Sequence, residues 1–288
     1  ASRMACRSRY ATAMFASSLL LFVGLVLAAM WWAGPGWRPR PLPGVSRVRP
    51  WALGHRGARH VRPENTAPAF ELAFAVLDGI ETDLQCTRDG VLVLWHDFDV
   101  EGTPVTSIDF ATLRAREPSI VTLQELFRIA RDARGTVLNL ELKSDPRIPR
   151  GLRFERDVVA AVRASGLEDR ILISSFDPLS LLRLRLIAPS LRTALLTAPV
   201  GPGFVRSGAL ARWLHVDALH PEDSQVTQAL LARCKRRGLP VHAWTVNDPG
   251  RMRSLALQGV GAVMADDPER LAVELDAARA GVPAIQQA

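Results

Sequence analysis

From residue 51 to residue 278, short aliphatic and β-branched runs alternate with longer stretches whose apolar positions recur every three or four residues. The short runs predict strands at 51–55, 79–85, 137–143, 171–175, 192–197, 216–220, 240–245 and 261–265. The longer ones predict helices at 67–77, 123–133, 154–164, 178–187, 226–237, 251–257 and 268–278. Asp177-Pro178 and Asp267-Pro268 are start signals, because proline suits the first helical turn. Strand and helix in regular alternation over about 230 residues predict an α/β chain built as a parallel (β/α)8 barrel. A doubly wound open sheet is the competing architecture, but no glycine-rich GxGxxG or P-loop fingerprint supports it.

The N-terminal pattern differs. No charged residue occurs from Tyr10 to Trp37, and residues 11–33 are almost all apolar. As a helix these residues span about 35 Å, enough for a hydrocarbon core of about 30 Å. Trp31 and Trp32 stand at the end of the run, where amphipathic rings favour the membrane interface. The expectation is an N-terminal transmembrane helix at 11–33 behind a basic flank at 1–10, giving a single-pass membrane protein. The competing reading is a cleaved signal peptide, for which Arg3, Arg7 and Arg9 form a suitable leading region. Residues 34–50 hold five prolines and four arginines and read as a stiff, solvated linker. The barrel is expected to occupy 51–280, on the extracytoplasmic side.

Composition sharpens this picture. Hydrophobic residues make up 48% and charged residues 23%, as in an ordinary globular protein, which excludes a largely disordered chain. The formal charge of +7 invites a nucleic-acid reading, but all seven excess charges are arginines within the first 50 residues, so no nucleic-acid partner is expected. Cys6, Cys86 and Cys234 lie far apart, which fits neither a disulfide scaffold nor a zinc ribbon. No protein partner can be inferred.

Charges also fall where a barrel interior should be dry. In the run 137–143, Leu138, Leu140 and Leu142 share one face, leaving Asn139, Glu141 and Lys143 on the other. In the run 80–85, Glu81 and Asp83 point inward in the same way. Buried carboxylates are costly unless paired or bound to metal. Glu81, Asp83 and Glu141 converging near strand ends therefore suggest one hard divalent cation, Mg²⁺ or Ca²⁺, with oxygen ligands. The bland alternative is structural ion pairing with Lys143 and nearby arginines. His55 and His96 each end a strand run beside these acids, and imidazole can act as base or acid near neutrality. His242 shares a face with Trp244 and lines the barrel, while His60, His215 and His220 read as ordinary polar residues.

His55-Arg56-Gly57, Pro63-Glu64-Asn65-Thr66, Glu81-Thr82-Asp83, His96-Asp97, Leu140-Glu141-Leu142-Lys143, Ser175-Phe176-Asp177, Trp244-Thr245-Val246-Asn247 and Asp266-Asp267-Pro268 occur in this order. Together they resemble the glycerophosphodiester phosphodiesterase family. The resemblance implies a TIM barrel, a metal held by Glu81, Asp83 and Glu141, a catalytic pair of His55 and His96, and Arg56, Glu64, Lys143 and Trp244 near the substrate. The chain departs from the family at 98–120, which is short and lacks an Arg-Thr-Thr stretch, and in the last strand.

The function so implied is metal-dependent hydrolysis of glycerophosphodiesters to glycerol 3-phosphate and an alcohol. A divalent ion aided by Arg56 and Lys143 screens the anionic diester, while two histidines serve the attacking and leaving oxygens. Three alternatives remain: a membrane-tethered lysophospholipase D acting on lysophospholipids, an enzyme that stops at a cyclic phosphate, and an inactive membrane-anchored binding barrel.

Overall fold

The computed structural model describes residues 37–45, 48–145, 151–200 and 203–280. The expected membrane helix at 11–33 lies outside the described residues, and among the described ones no helix is long and apolar enough to cross a membrane. Residues up to Trp37 and residues from Arg38 onward form separate units.

The second unit holds eight barrel strands: β1 (Trp51–His55), β2 (Gly79–Cys86), β3 (Val137–Leu142), β4 (Ile171–Ser175), β5 (Arg192–Thr197), β6 (Ala218–Pro221), β7 (His242–Ala243) and β8 (Ala262–Ala265). Parallel pairing runs unbroken from β7 through β8, β1 and on to β6. The ring closes between β6 and β7 through the bridges Leu219↔Val241 and Glu222↔Trp244. That is the TIM architecture the alternation predicts.

Helices lie outside: α1 (Ala67–Val76), α2 (Phe110–Arg116), α3 (Leu123–Asp132), α4 (Arg153–Ser165), α5 (Pro178–Ile187), α6 (Gln228–Arg236), α7 (Pro249–Leu257) and α8 (Pro268–Ala280). Their starts follow local chemistry. Thr122 and Glu125 form a reciprocal capping box on α3, while Asp177 and Asp248 accept backbone N–H groups at the starts of α5 and α7. Leu138, Leu140 and Leu142 of β3 pack with the helices, and Val137 joins Trp51, Leu53, Leu172, Ala194, Ala218 and Met264 in a separate cluster. The alternation of faces in β3 is thus the one the sequence predicts.

The 34–50 stretch is not simply a solvated linker. Leu42 is buried and packs into the cluster that contains Trp51, Leu172 and Ala218. The Arg40 guanidinium grips Asp217 through Nε and Nη2, both at 3.0 Å, and donates to the carbonyls of Pro189 at 2.6 Å and Leu191 at 2.8 Å. A fork of N–H donors matched to one carboxylate and several carbonyls is specific enough to dock this short segment on the N-terminal ends of the strands. Residues 38–45 therefore close the base of the barrel, opposite the ends that carry the charged residues.

Between β2 and α3 the chain makes an excursion. Leu92–Leu94 pairs antiparallel with Leu84–Cys86 and with Val121–Thr122, and Val93, Val100, Val105, Ile108, Leu113 and Ile120 form a small core of their own. This excursion carries His96 beside the mouth.

Candidate active site

Glu81 and Asp83 rise from β2 and Glu141 from β3, in the register Glu81↔Asn139 and Asp83↔Glu141. One carboxylate oxygen from each lies within 4.8 Å of the others, and all three residues are buried. Lys143 Nζ stands 3.3 Å from Glu141 and 3.6 Å from Asp83, and Arg56 Nε stands 3.3 Å from Asp83. Burial would raise Asp83, but Lys143 and Arg56 outweigh it and hold the carboxyl below its ordinary value. The other two are not so rescued. Burial, then the neighbouring charges of Asp83 and Glu141, pushes Glu81 well up; burial and Asp83 push Glu141 to about 7. Glu81 receives the Arg56 backbone N–H on one oxygen at 3.1 Å, and its other oxygen is buried without a partner.

The ion-pair alternative therefore holds for Asp83 and fails for Glu81. Three converging carboxylates, one with an orphaned oxygen and two resisting ionisation, fit a hard divalent cation.

The loop from β1 to α1 wraps this cluster. Gly54 and Gly57 are dictated by space: a Cβ at Gly54 would meet the Gly57 carbonyl oxygen at 2.5 Å, and Gly57, at φ 81°, lies against the Ala69 backbone. Arg56 and Asn65 take left-handed φ values of 55° and 56°. Asn65 is locked there, donating to Asp83 at 3.0 Å and accepting from Thr82 at 2.7 Å. Glu64 pairs with Arg56 at 2.7 Å and with Arg59 at 3.3 Å.

Both candidate histidines are tethered by the same ring nitrogen. His55 Nδ1 lies 2.7 Å from Asp266 and its Nε2 lies 3.9 Å from Glu81; His96 Nδ1 lies 2.7 Å from Asp97. Asp266 in turn accepts from Asn247 Nδ2 at 2.7 Å. Burial lowers the pKa of His96, an effect only partly opposed by the negative charge of Asp83. Trp244, just past β7, donates from Nε1 to the His220 carbonyl at 2.7 Å and meets Phe176 edge-on at 5.4 Å.

The structure thus brings His55, Arg56, Glu64, Glu81, Asp83, Glu141 and Lys143 into one bonded cluster. His96 is coupled to that cluster by the charges of Asp83, Lys143 and Arg56, and Trp244 sits at a neighbouring strand end with its own partners. Sequence reasoning did not single out Asp266, Asn247, Asn65 or Asp97 as site residues. Asp266 directly follows β8, so the rule that flagged charges at strand ends would have found it.

Over most of its length the chain is similar to known proteins. The model of the glycerophosphoryl diester phosphodiesterase family matches residues 55–270. A glycerophosphodiester phosphodiesterase of Caldanaerobacter subterraneus subsp. tengcongensis is 32% identical over 237 residues, covering 76% of this chain and 95% of that protein. A Mycobacterium tuberculosis protein named probable glycerophosphodiester phosphodiesterase 1 is 28% identical over 263 residues, covering 80% and 94%. Among solved structures, a Silicibacter pomeroyi protein assigned to the glycerophosphoryl diester phosphodiesterases superposes with a TM-score of 0.72 at 30% identity, over 85% of this chain and 97% of that one. An Oleispira antarctica phosphodiesterase, solved with the product sn-glycerol-3-phosphate, shares the fold with a TM-score of 0.65 at 24% identity, over 79% and 97%.

Proposed function

We propose that this chain, which belongs to the glycerophosphoryl diester phosphodiesterase family, cleaves glycerophosphodiesters to glycerol 3-phosphate and an alcohol. It is a phosphoric diester hydrolase. The observation that carries the finer reading is the matched tethering of His55 and His96: each gives Nδ1 to a carboxylate at 2.7 Å, leaving Nε2 for chemistry.

Glu81, Asp83 and Glu141 would hold one divalent cation, Mg²⁺ or Ca²⁺, which when bound supplies charge neutralisation at a phosphoryl oxygen. Arg56 and Lys143 border the same acids and bind the anionic diester, screening the charge that repels a nucleophile. Asp266 holds the Nδ1 proton of His55 and directs Nε2 toward the triad; Asp97 holds that of His96. One Nε2, unprotonated, takes the proton of the attacking oxygen. The other, protonated, gives its proton to the leaving alkoxide. Glu64 fixes the Arg56 guanidinium, and Trp244, packed edge-on against Phe176, lies near the substrate.

Residues 11–33 are proposed to tether the enzyme to a membrane, with the barrel on the extracytoplasmic side. The test is hydrolysis of glycerophosphocholine, glycerophosphoethanolamine and a lysophosphatidylcholine side by side, with Mg²⁺, Ca²⁺ or chelator. Rapid cleavage of the first two, lost on chelation, is the expected result. Preference for the lysolipid would replace this reading with lysophospholipase D, and full activity in excess chelator would overturn the metal assignment.

A further inference from the structure

The closed end of the barrel holds a feature that the reaction at the mouth does not use. A cavity of about 200 Å³ lies at the N-terminal strand ends, lined among others by Arg40, Arg49, Trp51, Arg192, Asp217 and His242. Its charge is unbalanced. Asp217 is shared by Arg40 at 3.0 Å and Arg185 at 3.4 Å. Asp78, the acid that acts on Arg49 at longer range, is engaged by Arg279 and by the Ala52 backbone N–H.

Two guanidiniums keep donors in hand. Arg192 spends Nε on the Pro41 carbonyl and Nη1 on that of Ser190, leaving Nη2. Arg49 lies over the Trp51 ring, 3.1 Å from its centroid, and lines the cavity, and a guanidinium stacked on a ring can still donate from its edge. Burial brings the Arg49 pKa down to about 10, the direction expected where positive charge is under-compensated.

The floor of the cavity carries an independent sign. His242 is 2% exposed; its Nδ1 lies 3.0 Å from His220 Nε2, and its own Nε2 is buried with no partner. A Cβ at Gly261 would come within 3.0 Å of that Nε2, so the absent side chain is what lets the imidazole lie here. A buried polar atom without a partner, on a residue that lines a polar cavity, calls for a ligand once the site adjusts. The volume is below the range of pockets that take organic ligands and suits a small ion.

We infer that the base of the barrel is a second anion site, taking a phosphate-type oxyanion between the Arg49 and Arg192 guanidiniums with His242 Nε2 beneath it. Arg40 contributes charge and Asp217 keeps Arg40 in place. The shared chemistry is a tetrahedral oxyanion with two or more charged oxygens, whether free phosphate or the phosphomonoester headgroup of an acidic lipid.

The test is calorimetric titration of the full chain with inorganic phosphate in a Lys143→Met background, which strips the mouth of a screening cation. Saturable binding that weakens about tenfold or more in Arg49→Gln and in Arg192→Gln supports the site. Both substitutions, placed in the otherwise unchanged chain, should leave diester hydrolysis as it was, which also shows that they fold. Repeating the titration with monomeric dihexanoyl phosphatidic acid separates the sources: tighter binding than phosphate points to a lipid headgroup, and equal or weaker binding to the free ion. Phosphate affinity identical in the parent and both variants, or no saturable binding in the Lys143→Met background, overturns the inference whatever the mouth hydrolyses.

Discussion

The two ends of this barrel handle buried charge in opposite ways. At the mouth, acids outrun the cations that answer them, so Asp83 is held down by Lys143 and Arg56 while Glu81 and Glu141 are pushed up. At the base, arginines outrun acids, and burial draws both Arg49 and Arg185 down to about 10. The base offsets most of its excess with fixed protein partners: Asp217 takes Arg40, Arg185 and the Thr193 N–H together. The mouth leaves the Glu81 oxygen unanswered. Charge settled by the fold itself serves stability, and charge left unsettled in an open position serves a ligand.

If that contrast is right, substitutions at the mouth should remove activity and spare the fold. Glu81→Gln, Asp83→Asn or Glu141→Gln should each lower kcat/KM by about 10²–10³ or more, as expected for loss of a preorganised electrostatic partner. Thermal unfolding would check that they stay folded, and saturating metal should raise Tm in the parent but not in the variants.

His55→Ala and His96→Ala should each lose about 10²–10⁴ in rate at unchanged Tm. Asp266→Asn should lose less than His55→Ala, because it misplaces the imidazole without removing it. Ordinary turnover by His96→Ala would break the paired acid–base scheme.

The base should show the reverse pattern. Asp217→Ala strands two guanidiniums and should cost about 3–5 kcal/mol of unfolding free energy, and Leu42→Ala about 2–3 kcal/mol. Denaturant titration measures both, and the hydrolysis rate per folded molecule should stay near that of the parent. A chain cut to begin at Arg49 loses both contacts and should be less stable than one that begins at Arg38.

The smallest effect sharpens the comparison through pH. Burial drives His220 down to about 3, and burial, helped by the positive charge of Arg49, drives His242 well below its ordinary value. Both are neutral in the fold, while the unfolded chain takes up protons near pH 6.5. Their contribution is therefore complete above about pH 6.5 and is lost as pH falls below it, for His220 down to about pH 3. The slope of stability between pH 6 and 5, less that of His220→Gln, should show one such contribution. An unchanged slope would mean that His220 is not held neutral.

Much of this molecule was legible in the chain because its signals are local. The alternation of Leu138, Leu140 and Leu142 with Asn139 and Glu141 is set by strand geometry, so the inward acids could be placed before any partner was known. Helix starts at Asp177 and Thr122 rest on side chains two or three residues from the groups they cap. The Arg40–Asp217 grip joins residues 177 positions apart and the His55–Asp266 bond residues 211 apart, and neither leaves a periodic trace. For that reason 34–50 reads as linker by composition although Leu42 and Arg40 are packed.

By itself the sequence determined the barrel, through its alternation of periods, and the family, through an ordered set of short motifs around strand ends. It also determined which residue types could meet there, because a strand's two faces are decided by position along the chain. Only the tertiary structure decided which carboxylate is neutralised and which is left over, which ring nitrogen of each histidine is held, and how the base is closed. Those outcomes depend on distances between strands and on the water excluded between them. Such distances exist only after the eight strands have closed on one another.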